Sequence, residues 1–275
     1  MGATRVGPLL LVAPALAMIL ALFVYPLGMS FISAFAAKDG GATLENFARV
    51  GELYAADVLF TLVIVAVAMA LIGALATAIG GYLLLGENEA AVAARKFLYR
   101  WPLFIPFIVA AQCMRTFLAK NGLMNNAIDA LGLIDVRHAA GLLDWRGIIV
   151  TFVWKQAPFV TLLVAGAMAS LDRAMLEAAR NLGASRLRIL VEIVLPQVGG
   201  VMTTGLILSF VTMLSVLSVP VMISGGAPTM MTVDMAFRIS AYGDYGTANA
   251  LGLISYGMTA AAAWVYLRRG VAGVR

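Results

Sequence analysis

Few residues of this chain are of the types that carry out covalent or metal chemistry. The sequence holds one cysteine, Cys113, and one histidine, His138. A zinc site needs several Cys, His or acidic ligands, and a disulfide needs a second cysteine. No Ser/His/Asp or Cys/His set has the spacing of a nucleophilic catalyst. We therefore expect no catalytic residue, no metal site and no enzymatic activity.

Nucleotide binding is also unexpected. A phosphate-binding loop places a lysine directly after a Gly-x-x-x-x-Gly sequence, because the loop amides and the ammonium group together hold the phosphates. The residues before Lys38, Lys96, Lys120 and Lys155 lack this pattern. We therefore expect this chain to bind no cofactor, and any ATP that drives the protein to bind to another chain.

The composition indicates a protein that lies in a membrane. Hydrophobic residues make up 62% of the 275 residues, and charged residues make up only 12%. Soluble proteins have about a quarter of their residues charged, so this chain has too few charges to cover a water-exposed surface. A basic balance such as the net charge of +5 can indicate nucleic-acid binding, but cationic loops on one side of a membrane explain it better, and we expect no nucleic-acid partner.

Six apolar runs are each near or above the ~20 residues needed to cross the hydrocarbon core. The first run follows Arg5 and resembles a signal peptide, but it exceeds the ~7–15 apolar residues of such a segment, so we favour a retained helix. The pattern predicts an all-α, polytopic membrane helical bundle of about six transmembrane helices, forming a single domain over residues 1–275. The runs are Pro8–Phe35, Ala56–Leu85, Phe97–Ala119, Gly147–Ala169, Gln197–Ser224 and Thr247–Leu267.

The distribution of positive charge predicts the orientation. Cytoplasmic loops carry an excess of Lys and Arg. With the N-terminus inside, eleven such residues lie on the cytoplasmic side and seven outside, which favours two cytoplasmic termini. The eleven are Arg5, Arg95, Lys96, Arg100, Arg173, Arg180, Arg186, Arg188, Arg268, Arg269 and Arg275.

Polar side chains inside the apolar runs are candidates for a solute pathway, because polar groups are costly in lipid and are often functional there. Serine and threonine hydroxyls can instead bond to carbonyls of their own helix, and Lys155 can reach the interface or pair with a helix C-terminus. The candidate pathway residues are Gln112, Arg115, Lys155, Gln156, Ser209 and Thr212.

The segment 170–196, between the fourth and fifth runs, is too polar for lipid and too regular for a loose loop. Its first half predicts a short helix that either Ser170 or Asp172 caps, since their oxygens suit the free amides of the first turn. Gly183 can adopt the left-handed conformation that ends a helix. The sequence therefore predicts a helix that stops at Gly183.

The second half of the segment predicts another helix. Ser185 can cap it, and it runs to about Val194. We expect Pro196 to hold Leu195 in an extended conformation and to open the fifth span.

The first helix of this segment has a shape that suits insertion into a groove. Ala178 and Ala179 make it thin, and Leu176 and Leu182 provide apolar knobs. Such a helix fits a groove on a partner protein, but it can equally lie on the lipid interface. Periodicity alone leaves both readings open.

The segment contains Glu177-Ala178-Ala179, followed at fixed spacing by Gly183, Ile193, Leu195 and Pro196. This pattern resembles the EAA loop of binding-protein-dependent ABC importer permeases. The resemblance implies a type I ABC importer transmembrane domain, in which the loop docks into a cleft of the ATP-binding subunit. It places Glu177, Ala178, Ala179, Arg180, Gly183 and Pro196 at this coupling contact.

The resemblance also implies partners and a mechanism. A dimer of ATPase subunits would hold ATP and Mg²⁺, a second permease would be identical or related, and a periplasmic binding protein would deliver solute to this bacterial inner-membrane protein. Alternating access would move the solute inward. A secondary transporter driven by an ion gradient is a rival, but it predicts acidic residues in mid-span, and Asp234 and Asp244 are expected in an outer loop.

The substrate class is open between branches of this family. The stretch Leu176–Ser185 looks like permeases for polyamines, ferric ion and phosphonate-type compounds, whereas Trp154–Phe159 looks like sugar permeases. A lysine such as Lys155 in the path would repel a polycation. We expect a polyamine-like or phosphonate-like organic solute first, and a sugar or inorganic anion second.

Overall fold

In a computed structural model of the chain, the structure describes residues 6–37, 40–86, 92, 97–224 and 226–272. The side chains of 6–10, 265–267 and 269–272 are outside that description. Several cationic residues used to predict the orientation therefore lie outside the described residues, namely Arg5, Lys38, Arg95, Lys96, Arg275 and the side chain of Arg269.

The described chain is almost entirely helical, which confirms the all-α class. Its only β-type pairing in the described ranges is an isolated bridge between Ala36 and Ala42. The α-helices are α1 Val6–Ile19, α2 Tyr25–Ala34, α3 Glu45–Leu85, α4 Phe107–Leu118, α5 Leu123–Ala130, α6 Trp145–Ala169, α7 Arg173–Asn181, α8 Arg186–Arg188, α9 Leu195–Ser215, α10 Ser218–Ile223, α11 Met231–Tyr242 and α12 Tyr245–Ala272.

Among the described residues, four helical stretches are long and apolar enough to cross a membrane. They are Leu11–Ala34, Glu45–Leu85, Trp145–Ala169 and Arg186–Ser215, and they overlap the first, second, fourth and fifth apolar runs. The sixth run falls in α12, whose 28 residues give a length of about 42 Å. The third and fifth runs differ from their predicted form.

The predicted third span, Phe97–Ala119, is broken. A 3₁₀ turn at Trp101–Phe104 is followed by an extended residue, Ile105, and then by the twelve-residue helix α4. Pro106 explains the break, because its ring disfavours helical geometry at the preceding residue. A helix of this length covers about 18 Å, less than the ~30 Å hydrocarbon core.

The predicted fifth span, Gln197–Ser224, is also interrupted. Helix α9 ends at Ser215, Val216 is extended, and α10 begins at Ser218. The outer loop expected to follow it is shorter than predicted, because Asp234 lies in the first turn of α11 and is buried. Asp244 does lie between helices, in the short turn that joins α11 to α12.

The described residues divide into two compact units, one drawn from 1–55 and 234–257 and the other from 56–233 and 258–275. The expectation of a single domain stays a prediction. In the first unit, the guanidinium of Arg238 lies 5.1 Å and 5.2 Å from the ring centres of Tyr54 and Tyr242. The carboxylate of Asp244 forms ion pairs with Arg238 at 3.4 Å and with Arg49 at 3.6 Å. These ion pairs, and the stacking of Arg238 on the two aromatic rings, stabilise this unit.

The core of the second unit gathers buried side chains of α3, α6 and α9, and α3 also runs antiparallel along α9 and the π-helical segment before it. Gly73, Thr77 and Gly81 share one face of α3, as their four-residue spacing predicts. A Cβ atom at Gly73 would lie 3.6 Å from Leu206, and one at Gly81 would lie 2.7 Å from Leu190. The small residues therefore allow the two helices to approach closely.

Candidate functional site

Helix α7, at the centre of the candidate coupling segment, begins at a well-defined cap. The Asp172 carboxylate accepts a hydrogen bond from the amide of Ala174 at 2.9 Å, and Asp172 itself has extended geometry. Ser170, the other candidate cap, donates its hydroxyl proton to the carbonyl of Ala167 at 2.8 Å and so closes α6. The structure therefore assigns the cap to Asp172.

Gly183 ends α7 in the left-handed conformation, as the sequence predicts. Its φ is +82°. The amide of Gly183 donates to the carbonyl of Arg180 at 2.9 Å, and the amide of Ala184 donates to the carbonyl of Ala179 at 3.0 Å. This pair of bonds is a Schellman motif, which satisfies the last carbonyls of a helix.

The two faces of α7 differ sharply in exposure. Leu176 and Ala179 are buried against the core of the second unit. Glu177, Ala178 and Arg180 are exposed. The interpretation of Leu176 as an outward knob is therefore wrong, because the three-residue spacing from Leu176 to Ala179 puts both on the inward face. Ala179, which the resemblance places at the coupling contact, packs into the core in this structure.

The apolar group that α7 offers to a partner is instead Leu182, which is 89% exposed. It follows the last turn of the helix, directly before Gly183. Together with Glu177, Ala178 and Arg180, it forms a surface that we call the outer face of α7.

The chain continues from Gly183 into α8 and α9 almost without interruption. The Ser185 hydroxyl accepts a hydrogen bond from the amide of Arg188 at 3.3 Å, which confirms the predicted cap. Ile189–Val194 then forms a π-helical segment, and Leu195 has helical geometry with ψ −43°. The predicted extended conformation of Leu195 is therefore wrong.

The π-helical segment explains how a helix can pass through Pro196. The proline ring lacks an amide proton and collides with the preceding turn of an ordinary α-helix. A π turn is one residue wider, which leaves room for the ring. The same arrangement occurs at Leu20–Val24, directly before Tyr25 and Pro26.

Lys155 is buried in α6 and has a structural environment. Its ammonium group donates to the carbonyls of Pro102 at 2.7 Å and Leu103 at 3.3 Å. It also lies 5.1 Å from the ring centre of Phe107. Lys155 thus binds the carbonyl groups at the C-terminal end of the 3₁₀ turn. This is the pairing with a helix C-terminus that the sequence offers as an alternative to a role in the solute pathway.

A groove of about 800 Å³ lies along one side of α4 and α6. Gln112 and Thr116 of α4 line it with Phe117, and Trp154 of α6 lines it from the other helix. Its described walls are mostly apolar, and Gln112, Thr116 and the indole N–H of Trp154 supply hydrogen-bonding groups. Among the candidate pathway residues, Gln112 lines this groove, and we call it the Gln112 groove.

The structure does not bring the other candidate pathway residues to the Gln112 groove. Arg115 is exposed and Gln156 is buried. Ser209 is fully buried, and its hydroxyl has no hydrogen-bond partner among the described residues. The hydroxyl of Thr212 donates to the carbonyl of Leu208 in its own helix at 2.8 Å. Thr212 therefore satisfies its hydroxyl within the helix, as serine and threonine commonly do.

Comparison with known families agrees with this architecture. The family described as "Binding-protein-dependent transport system inner membrane component" matches residues 93–268, well over half of the chain. The chain belongs to this family. The permease is therefore a multi-pass membrane subunit of the ABC importer type, and its family consists of non-enzymatic transport components.

The names of proteins similar to the permease refer to several different solutes. It is 25% identical over 283 residues to the sulfoquinovosyl glycerol transport system permease protein SmoG of Agrobacterium fabrum, covering 96% of this chain and 90% of that protein. It is 27% identical over 193 residues to the trehalose/maltose transport system permease protein MalF of Thermococcus litoralis, covering 68% and 65%. It is 28% identical over 189 residues to the spermidine/putrescine transport system permease protein PotB of Escherichia coli, covering 64% and 66%.

The fold of the permease resembles that of solved transporters. A chain of the bacterial alginate ABC transporter, crystallised in complex with an alginate pentasaccharide-bound periplasmic protein, superposes with a TM-score of 0.77. The identity is 18%, and the match covers 93% of the permease and 91% of that chain. This likeness shows the shared fold.

Sequence reasoning missed several residues that the permease brings to these surfaces. Phe117 lines the Gln112 groove, yet it looks like an ordinary membrane aromatic in the sequence. Trp154 begins the stretch Trp154–Phe159 that resembles sugar permeases, but the sequence did not place it beside Gln112. The four-residue spacing from Gln112 to Thr116, which puts both on one face of a helix, is the signal that identifies this side of α4. Leu182 was recognised as an apolar knob, and its exposure supports that reading.

Proposed function

We propose that α7 couples the permease to a separate ATPase subunit. The observation that carries this proposal is the division of α7 into an outer face and a face packed into the core. Because Asp172 and Gly183 fix both ends of the helix, a force on Glu177 or Ala178 moves Leu176 and Ala179 with it. A rigid, capped helix that lies in a partner's groove is suited to transmit such motion.

The rest of the mechanism follows from this contact. Closure of two ATPase subunits around ATP pushes α7, and the bundle turns outward to accept solute from a binding protein. Hydrolysis resets it, and a second permease completes the pathway. This arrangement requires α7 to face the cytoplasm, with both termini on the same side.

A charge reversal at Glu177 tests the coupling role. Glu177 is exposed, so Glu177→Lys disturbs no packing and the permease should insert and assemble normally. In proteoliposomes that contain the whole complex, we expect solute uptake per ATP hydrolysed to fall at least tenfold. Glu52→Lys is the matched control, because it reverses the charge of another exposed glutamate, in α3. It should change neither the rate of uptake nor the rate of ATP hydrolysis. Normal coupled uptake by Glu177→Lys would overturn the assignment.

The Gln112 groove supports a neutral, polyhydroxylated solute as the transported class. Trp154 and Phe117 offer flat apolar faces of the kind on which sugar rings stack, and Gln112 and Thr116 supply hydrogen-bonding groups. Among the described residues, no carboxylate lines the groove, and a polycation would need one. The name of MalF, which refers to trehalose and maltose, favours the same class.

The order of the two substrate expectations is therefore reversed, with sugar-type solutes first. Polyamine transport is the second candidate, and the similarity to PotB favours it. The phosphonate-type expectation has no support from these relatives. Uptake of a labelled disaccharide and of labelled spermidine by the same complex separates the two, because the polyamine reading requires spermidine to be the better substrate.

A further inference from the structure

A second cavity lies beside the start of α7, apart from the Gln112 groove. It has a volume of about 300 Å³ and opens between the end of α3, the residues before Trp101, the end of α6 and the start of α7. Its lining includes Leu83, Leu84, Tyr99, Arg100, Ala169 and Arg173. We call it the Arg100 cavity, and neither the coupling contact nor the solute path uses it.

Two cationic side chains bound this cavity. The Arg100 guanidinium donates to the Tyr99 hydroxyl at 3.2 Å and lies 5.5 Å from that ring centre. A guanidinium carries five N–H donors, so this contact orients Arg100 while leaving most of its donors for another acceptor. The aromatic ring thus holds the charge in place at the mouth of the cavity.

Arg173 is the second cation and the first residue of α7. Within the part of the chain that the structure describes, its side chain makes no ion pair and no hydrogen bond. Two guanidinium groups at one cavity, with no acidic side chain among its described lining residues, favour an anion. Planar guanidinium forks match phosphate oxygens especially well.

The remaining walls are apolar, and this distinguishes the cavity from a site for a soluble anion. Leu83, Leu84, Leu162 and Ala165 form its sides, and Gly166 leaves one side open. A Cβ atom at Gly166 would meet no atom within 4 Å. A ligand that fills this space must therefore join an anionic group to hydrocarbon.

The position of the cavity agrees with such a ligand. Helices α3 and α6 each have the length and apolar character to cross a membrane, and the cavity lies where both of them end. This level corresponds to the headgroup layer of a bilayer. Basic pockets between transmembrane helices at this depth bind anionic lipid headgroups.

We infer that the Arg100 cavity binds the phosphate headgroup of an anionic phospholipid, with an acyl chain along Leu162 and Gly166. The lipid would join Arg100 to Arg173 and so fasten the first turn of α7 to the bundle. In one respect the inference rests on the proposed function, because a cytoplasmic α7 places the lipid in the inner leaflet. Binding itself requires neither coupling nor transport.

Native mass spectrometry of the full-length permease tests this binding. The protein is released from nanodiscs of phosphatidylglycerol and phosphatidylcholine, and the retained lipids are counted. We expect a preference for phosphatidylglycerol of about tenfold or more, which the double variant Arg100→Gln, Arg173→Gln abolishes. The charge-preserving double variant Arg100→Lys, Arg173→Lys should retain it.

Two further variants separate site binding from general charge and from misfolding. Gly166→Leu fills the apolar side without changing charge, and leucine is a better helix former than glycine, so it should lose the lipid while staying folded. Arg137→Gln removes an exposed arginine outside the cavity and should leave the preference unchanged.

Three outcomes would overturn the inference. The first is equal retention of the two lipids by the unaltered permease. The second is an unchanged preference for phosphatidylglycerol in both the Arg100→Gln, Arg173→Gln variant and the Gly166→Leu variant. The third is displacement of the lipid by millimolar inorganic phosphate, since this would make the cavity a site for a soluble anion. None of these results depends on ATP hydrolysis or uptake, so failure here is distinguishable from failure of the coupling proposal.

Discussion

The amide of Ala184 donates a hydrogen bond to the carbonyl of Ala179 over 3.0 Å, across the left-handed residue Gly183. This bond closes α7 and fixes the direction in which the chain leaves it. Because Ser185 then caps the next helix, the orientation of α8 relative to α7 is fixed. A coupling element needs this rigidity, since a flexible end would absorb the motion that it should transmit.

Substitutions at Gly183 should reduce coupling in proportion to their cost in the left-handed region. Gly183→Ala should cost about 1 kcal/mol, and Gly183→Val should cost more, because a branched Cβ resists positive φ. We expect uptake at equal membrane abundance to fall in the order Gly, Ala, Val. Gly199→Ala, in α9 with no atom within 4 Å of the added Cβ, is the control. Equal activity of the alanine and valine variants would remove the argument from backbone geometry.

The first turn of α7 should depend on Asp172 and not on Ser170. Asp172→Ala removes the bond to the Ala174 amide, and the loss of such a cap costs about 1 kcal/mol. Hydrogen exchange at the first amides of α7 should therefore accelerate about fivefold, since exchange reports local opening. Ser170→Ala should leave these amides unchanged. Faster exchange in the serine variant alone would transfer the capping role to Ser170.

Lys155 should act on stability rather than on solute affinity. Lys155→Met removes the two bonds to the Pro102 and Leu103 carbonyls, at a cost of about 2 kcal/mol for charge-assisted bonds. We expect a lower unfolding temperature in detergent and an unchanged KM for uptake by the assembled complex. Gln112→Ala is the comparison variant and should raise KM without lowering stability. A raised KM for Lys155→Met at normal stability would return Lys155 to the solute path.

Local signals in the sequence were sufficient for much of the coupling segment. Gly183 and Ser185 were identified because helix ends depend on residues close in sequence. The choice between Ser170 and Asp172 needed the structure, since the two oxygens lie two residues apart and either suits a cap. The inward turn of Leu176 was missed because burial depends on what packs against a helix, which a short amphipathic stretch does not reveal.

Two of the errors at longer range, at Ile105 and Leu195, concern residues that precede a proline. The rule that a residue before proline is extended holds at Ile105 and fails at Leu195. The difference is the π-helical segment Ile189–Val194, which makes room for Pro196 and leaves no clear trace in composition. Apolar length alone likewise could not separate the continuous α6 from the broken third span.

The most direct test of the account is a pair of single-cysteine crosslinks from adjacent positions. Cys113 is the only cysteine in the sequence, so Cys113→Ala gives a cysteine-free permease into which Ala178→Cys or Ala179→Cys is introduced. Ala178 is on the outer face and Ala179 is buried. With a short photoactivatable crosslinker on the assembled complex, we predict capture of the ATPase subunit from position 178 and little or none from 179. Capture of lipid alone from position 178, or no capture of the ATPase from either position, would contradict the claim that α7 couples the permease to ATP hydrolysis.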